Sequence, residues 1–175
     1  MKIMNKTVQY RLKATDTNDR LQIIDDAADL TLPAIEKLTD TIKGAGIMGE
    51  IDMPTFGQLG SMTLGINFRA DNPQYAILSR PGQIKFEIVW VVDVFDSNGA
   101  KVGLQQHKVF ITAVNKNYNP GTIDVNASAD GSVEFEVLVY RKVVDGKEVL
   151  NIDKFNYKYV VNGVDYMQQL RTALQ

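Results

Sequence analysis

Residues Gln83 to Phe95 alternate strictly between two faces, and this pattern constrains the chain more than any other feature. Ile84, Phe86, Ile88, Trp90, Val92 and Val94 fall on one side of a strand. Lys85, Glu87 and Asp93 share the other side with Val89 and Val91. Asp96-Ser97-Asn98-Gly99 follows, and Asn-Gly between alternating runs is a strong hairpin cue because both positions tolerate positive φ. A partner strand is therefore expected from Lys101 to about Val114. Ser132 to Tyr140 alternates again, and Asp145-Gly146 turns the chain into a further expected strand, Lys147 to Val160. Between the hairpins, Lys116 to Gly131 gathers Asn, Asp, Pro and Gly and reads as a loop.

Upstream, Thr31 to Lys43 and Ser61 to Arg69 have strand character. Helix is scarce. Asp71-Asn72-Pro73 is suited to cap a short helix through about Leu78, ended by Pro81-Gly82. Val164, Met167, Leu170 and Leu174 recur at helical spacing behind Asn162 or Asp165 as cap. The expected class is α+β and β-rich: an antiparallel β-sandwich or barrel of two sheets with one or two short helices, without the strand–helix alternation of a doubly wound fold.

At 175 residues with 45% hydrophobic and 23% charged side chains, the chain matches one soluble globular domain, residues 1–175. A domain of that length buries roughly 70% of its unfolded surface and needs no disulfide or structural metal. There is no cysteine, which leaves the redox compartment open. With 19 basic against 21 acidic side chains and no run of like charge, a dedicated nucleic-acid binder is disfavoured. Met1 to Arg11 holds no apolar stretch suited to a signal peptide, and nothing approaches the ~20 apolar residues of a membrane span.

The residues do not point to catalysis. One histidine and no cysteine exclude the usual zinc sets within a single chain, so no metal or other cofactor is expected. His107 lies in an expected strand with no nucleophile motif nearby and reads as a histidine on the polar face. Gly44-Ala45-Gly46-Ile47-Met48-Gly49 matches Gly-x-Gly-x-x-Gly superficially, but Pro54 and Gly57 follow where a dinucleotide site needs a helix. These glycines suit a tight turn. Glu134 and Glu136 stand two apart on one strand face, which suits a solvated acidic surface better than an opposed catalytic pair.

The connector from Gly44 onward is apolar for a surface loop, carrying Ile47, Met48, Ile51, Met53 and Phe56. It either folds back over its own core or packs against another subunit.

Three stretches together are similar to the major tail tube protein of contractile-tailed (myovirus-type) phages and the related R-type bacteriocins. They are Thr31-Leu32-Pro33-Ala34-Ile35-Glu36-Lys37-Leu38, then Lys43-Gly44-Ala45-Gly46-Ile47-Met48-Gly49, and the C-terminal run Asp145 to Asp153 with Val161-Asn162-Gly163-Val164-Asp165. The first thirty residues and Asn115 to Ser128 depart from the pattern. The resemblance implies one tail tube domain and a structural, non-enzymatic protein. Its homohexameric rings would stack into a hollow tube within a contractile sheath and conduct DNA or form a puncturing core. It further implies the tail sheath, baseplate and tail terminator proteins as partners, passage of DNA without specific binding, no membrane insertion, and a place in the virion after assembly in the bacterial cytoplasm. On this view Gly44, Ile47, Met48, Ile51, Met53 and Phe56 reach an adjacent subunit, and Glu134 and Glu136 are the candidate lumen acids. Two other readings are the inner tube of a type VI-like secretion apparatus and a monomeric β-sandwich that binds a ligand. The last predicts exposed aromatics at a loop tip, whereas Phe155, Tyr157 and Tyr159 are expected to share a strand face and pack.

Overall fold

A computed structural model describes residues 1–18 and 20–175. Twelve strands and two short helices are formed among them. Strands β1 (Lys2–Thr15), β2 (Leu21–Ile24) and β3 (Ala27–Thr31) precede β4 (Lys37–Ile42), β5 (Ile51–Leu59) and β6 (Thr63–Phe68). Helix α1 (Pro73–Leu78) leads into β7 (Gln83–Asp96), β8 (Lys101–Asn119) and β9 (Gly131–Val144). The chain ends with β10 (Lys147–Asp153), β11 (Lys158–Val161), β12 (Val164–Asp165) and α2 (Gln168–Ala173).

All pairings are antiparallel, and the strands form one ten-stranded sheet and one two-stranded sheet, β4–β5. The β-rich α+β class expected from the alternation is what the chain adopts. The large sheet forks at β9. One edge of β9 pairs with β8 along its length; the other pairs with β6 from Gly131 to Glu136 and with β10 from Val139 to Val144. A strand shared this way splits the sheet into two leaves, which wrap one hydrophobic core.

That core collects alternate residues of each strand: Leu12, Leu64, Ile66, Phe86, Ile88, Ile111, Phe135 and Val137 are all buried. Each large apolar side chain so buried contributes about 1.5–3 kcal/mol. Helix α1 closes one end. Asn72 caps it through its side-chain oxygen, which accepts from the Gln74 and Tyr75 amides, and Pro73 occupies its first turn. Tyr75 then stacks on Phe68 with centroids 4.0 Å apart, and its hydroxyl donates to Asp26 at 2.8 Å. Burial, with Asp26 alongside, holds this phenol strongly above its ordinary ionisation range.

The structure corrects several local expectations. Strand β1 arises in a segment whose alternation is broken by register shifts between Met4, Thr7 and Gln9. Thr31 to Lys43 is no continuous strand, because Leu32 to Glu36 leaves the sheet and sends Leu32 and Ile35 against the core. Strand β8 runs on to Asn119, so the loop is shorter than expected. The strand expected over Lys147 to Val160 breaks after Asp153, whose carboxylate accepts from the Phe155 and Asn156 amides in a tight turn. Phe155 and Tyr157 are therefore exposed in that turn and do not share a strand face with Tyr159. Asn162-Gly163 is a hairpin turn, both residues at positive φ, so helix α2 begins only at Gln168. Met167 is its N-cap residue, with no side-chain cap.

Candidate assembly interface

The connector that the sequence leaves ambiguous is a projecting arm. Strands β4 and β5 pair only with each other among the described residues, and the tip between them, residues 43–50, is exposed except for half-buried Ile47. Gly46 and Gly49 stand at positive φ with open space around them, so the turn requires their backbone freedom rather than their lack of bulk. Ile42 lies opposite Ile51, and Asp40 opposite Met53. Opposed residues share a face, so Leu38, Ile42, Ile51 and Met53 form one surface of the arm, apolar apart from Asp40 among them, while Thr41 donates to Asp52 at 2.7 Å on the other. All four apolar residues are exposed, as are Met48 and Phe56. Gly44, Ile47, Met48, Ile51, Met53 and Phe56 thus belong to one excursion that does not fold over the core. Leu38 and Ile42 complete it; their spacing of four residues on a strand was the available signal.

A second incomplete surface was not legible beforehand. Strand β2 covers β1 only at Leu12 to Thr15, so among the described residues Lys2 to Arg11 pair with β7 alone. This free edge is long, and Ile3, Met4 and Val8 along it are exposed with Val102 and Leu104 of β8 nearby in the same three-stranded tip. An uncovered strand edge of this length is a template for pairing with another chain.

Glu134 and Glu136 sit on β9 opposite Gly65 and Thr63 of β6, but their surroundings differ. Glu136 accepts from the Ser61 hydroxyl at 2.5 Å and from Lys154 Nζ at 3.4 Å, and Lys116 Nζ lies 3.8 Å away. Partial burial pushes its carboxyl up, yet the bonds from Ser61 and Lys154 outweigh this and hold it below its ordinary value. Lys154 also donates to the Gly60 carbonyl at 2.9 Å, so this cluster ties β9 to the chain entering β6. Glu134 accepts no such side-chain bond among the described residues.

His107 lies directly opposite Trp90 and shares its face, on the side of the core residues rather than the polar side expected. No three carboxylate or imidazole groups converge to hold a metal among the described residues. No helix among them is long and apolar enough to cross a membrane.

Comparison with known proteins adds identity to this geometry. No curated protein matches the sequence. Two solved assemblies contain similar chains. One is an extracellular contractile injection system, the PVC sheath/tube terminator in its extended state, at 12% identity and a TM-score of 0.46, with 78% of this chain and 94% of that one covered. The other is the anti-feeding prophage baseplate, six-fold symmetrised, at 14% identity and a TM-score of 0.48, covering 82% and 97%. The model of the family described as phage tail tube protein FII matches residues 13–174, nearly the whole sequence, and the chain belongs to that family of structural tail proteins.

Proposed function

We propose that this protein forms homohexameric rings that stack into the hollow inner tube of a contractile phage or phage-like tail. The observation that carries the reading is the β4–β5 arm, whose largely apolar face is left exposed among the described residues. Exposed contiguous apolar surface of this kind is satisfied by a partner, and the free edge of β1 asks for one too. Arm and edge are different patches. A contact between different patches is heterologous, and rotation through a small number of copies closes it into a ring, abolishing the strand edges.

In the ring, Gly44, Ile47, Met48, Ile51, Met53 and Phe56 pack on a neighbouring subunit or ring. The tube's outer wall meets the sheath, and its ends meet baseplate and terminator proteins. The chain's small net negative charge suits a bore through which DNA slides without sticking. Glu134 is the better lumen candidate of the two acids, because Glu136 is already engaged by two lysines.

Negative-stain electron microscopy of the purified protein at rising concentration tests the assembly. Rings and tubes are expected, and a monomer at every concentration would overturn it. In assembled particles, Glu134→Lys is expected to slow DNA ejection while tubes still form; unchanged infectivity removes Glu134 from the lumen wall.

A further inference from the structure

Two features at opposite ends of β6 lie apart from the β1 edge, and the second of them shares Phe56 and the base of the arm. Beyond its C-terminal end lies the loop 120–130, tied down at its base. The Ala129 amide donates to the Arg69 carbonyl at 2.7 Å, and the Thr122 amide donates to the Ala129 carbonyl at 2.8 Å. Gly121, at a φ of 91°, lies so close to that carbonyl that a Cβ there would run into it. At the crown, Ile123 and Val125 are 100% and 93% exposed, with Asp124 between them. A loop tied at its base thus presents two branched apolar side chains wholly to water, an arrangement that gains nothing for the isolated chain.

Just before the N-terminal end of β6, the base of β5 faces β11 and α2 across a groove of about 450 Å³. Phe56, Leu59, Tyr159, Tyr166 and Met167 line it, and Tyr159 and Met167 continue into an adjoining hollow of about 180 Å³. Lys37 stands at the larger space, and Lys154 and Lys158 at the smaller.

We propose that the Ile123–Val125 crown of one copy seats in this groove on a second copy, with Asp124 directed at the lysines. The apolar crown matches an apolar, aromatic-walled groove, and the one acid in the crown matches Lys37 at the groove, with Lys158 in the adjoining hollow. The six residues of β6 separate the two features by about 20 Å at ~3.3 Å per residue, so a chain cannot fill its own groove. Because knob and groove are different patches, the contact is head to tail and propagates from copy to copy. This inference rests on the self-assembly reading and gives Phe56, at the base of the arm, a specific occupant, while its knob lies on a different part of the chain.

The absence of cysteine makes a direct test available. Val125→Cys and Tyr166→Cys, each at an exposed position, are prepared separately and mixed under mild oxidation at concentrations where the wild-type protein assembles. A disulfide needs Cα atoms within about 7 Å, so it reports docking. The expected result is a mixed disulfide dimer at least tenfold over either symmetric dimer, and a ladder of higher species from the double variant. In parallel, Ile123→Asp with Val125→Asp is expected to leave the melting temperature unchanged and to raise the concentration needed for assembly at least tenfold. If tubes form normally but the mixed dimer does not exceed the symmetric ones, this docking is overturned while self-assembly stands. If no oligomer forms at any concentration, both fall.

Discussion

Trp90 and His107 lie face to face across β7 and β8, their ring centroids 5.0 Å apart and their planes 11° from parallel. His107 Nε2 meets Gln105 Oε1 at 3.1 Å, while Nδ1 is buried without a partner among the described residues. Lys142 Nζ stands 5.9 Å from the Trp90 ring. Burial first, and Lys142 second, push the imidazole below its ordinary value of 6.5, with Asp145 opposing weakly. The unfolded chain therefore takes up a proton that the fold resists, so the contribution present above pH 6.5 is lost as the pH falls below it. Thermal melts are expected to show a falling melting temperature between pH 7 and pH 5.5. His107→Phe, which keeps a ring against Trp90, flattens that slope.

Glu136 holds its place through Ser61, Lys154 and Lys116. Replacing it with Gln removes the charge from a partly exposed network, so Glu136→Gln is expected to cost about 1 kcal/mol. That corresponds to a melting temperature lower by roughly 2–4 °C in a domain of this size. Because its folded value lies below the ordinary 4.5, the wild-type contribution is present above that pH and fades as pH drops through the folded value. Glu134→Gln is expected to stay within about 0.5 kcal/mol of wild type. Equal losses from the two variants would contradict the distinction drawn between them.

Gly131 begins β9 against the edge of the Phe68 ring, where an added Cβ would collide with both that ring and the Asn119 carbonyl. Any shift of the ring disturbs its stacking on Tyr75, and the Asn119 carbonyl is backbone. Gly131→Ala should therefore destabilise the fold by about 1–3 kcal/mol, the usual range for overpacking. Gly103, which has open space around it and no positive φ, is the control. Denaturant titration of Gly103→Ala is expected to superimpose on wild type.

Among the described residues of the arm only Leu59, at its base, packs on the core, so polar changes farther out separate folding from assembly. Met48→Asp combined with Ile51→Asp is expected to leave the melting temperature within about 1 °C and to abolish rings and tubes in negative stain. A large drop in melting temperature would mean that the arm packs within its own chain.

The legible parts of the sequence were those where local chemistry and burial agree. Strand β7 alternates without a break because a solid core covers Ile84, Phe86 and Ile88. Asn72-Pro73 states its own helix start, since the cap bonds reach only two and three residues ahead. Where a motif had two uses, its neighbours decided. Asn162-Gly163 resembled a helix cap by position, but β11 has β12 to pair with, and the same two residues make a hairpin turn. Of the site, the apolar character of Ile47, Met48, Ile51, Met53 and Phe56 was visible, and so was their candidacy for a contact between subunits.

Alternation and turn chemistry by themselves determined which segments pair locally, because those choices depend on residues within one hairpin. Only the tertiary structure decided that β9 divides its edge between β6 and β10, that β1 carries an uncovered edge, and that Leu38 and Ile42 join the face of the arm. Such outcomes depend on which distant strand best buries its own face while pairing with each row of N–H and C=O groups. A residue's own pattern says that it has a buried face, and its partners across the sheet say whether anything comes to cover it.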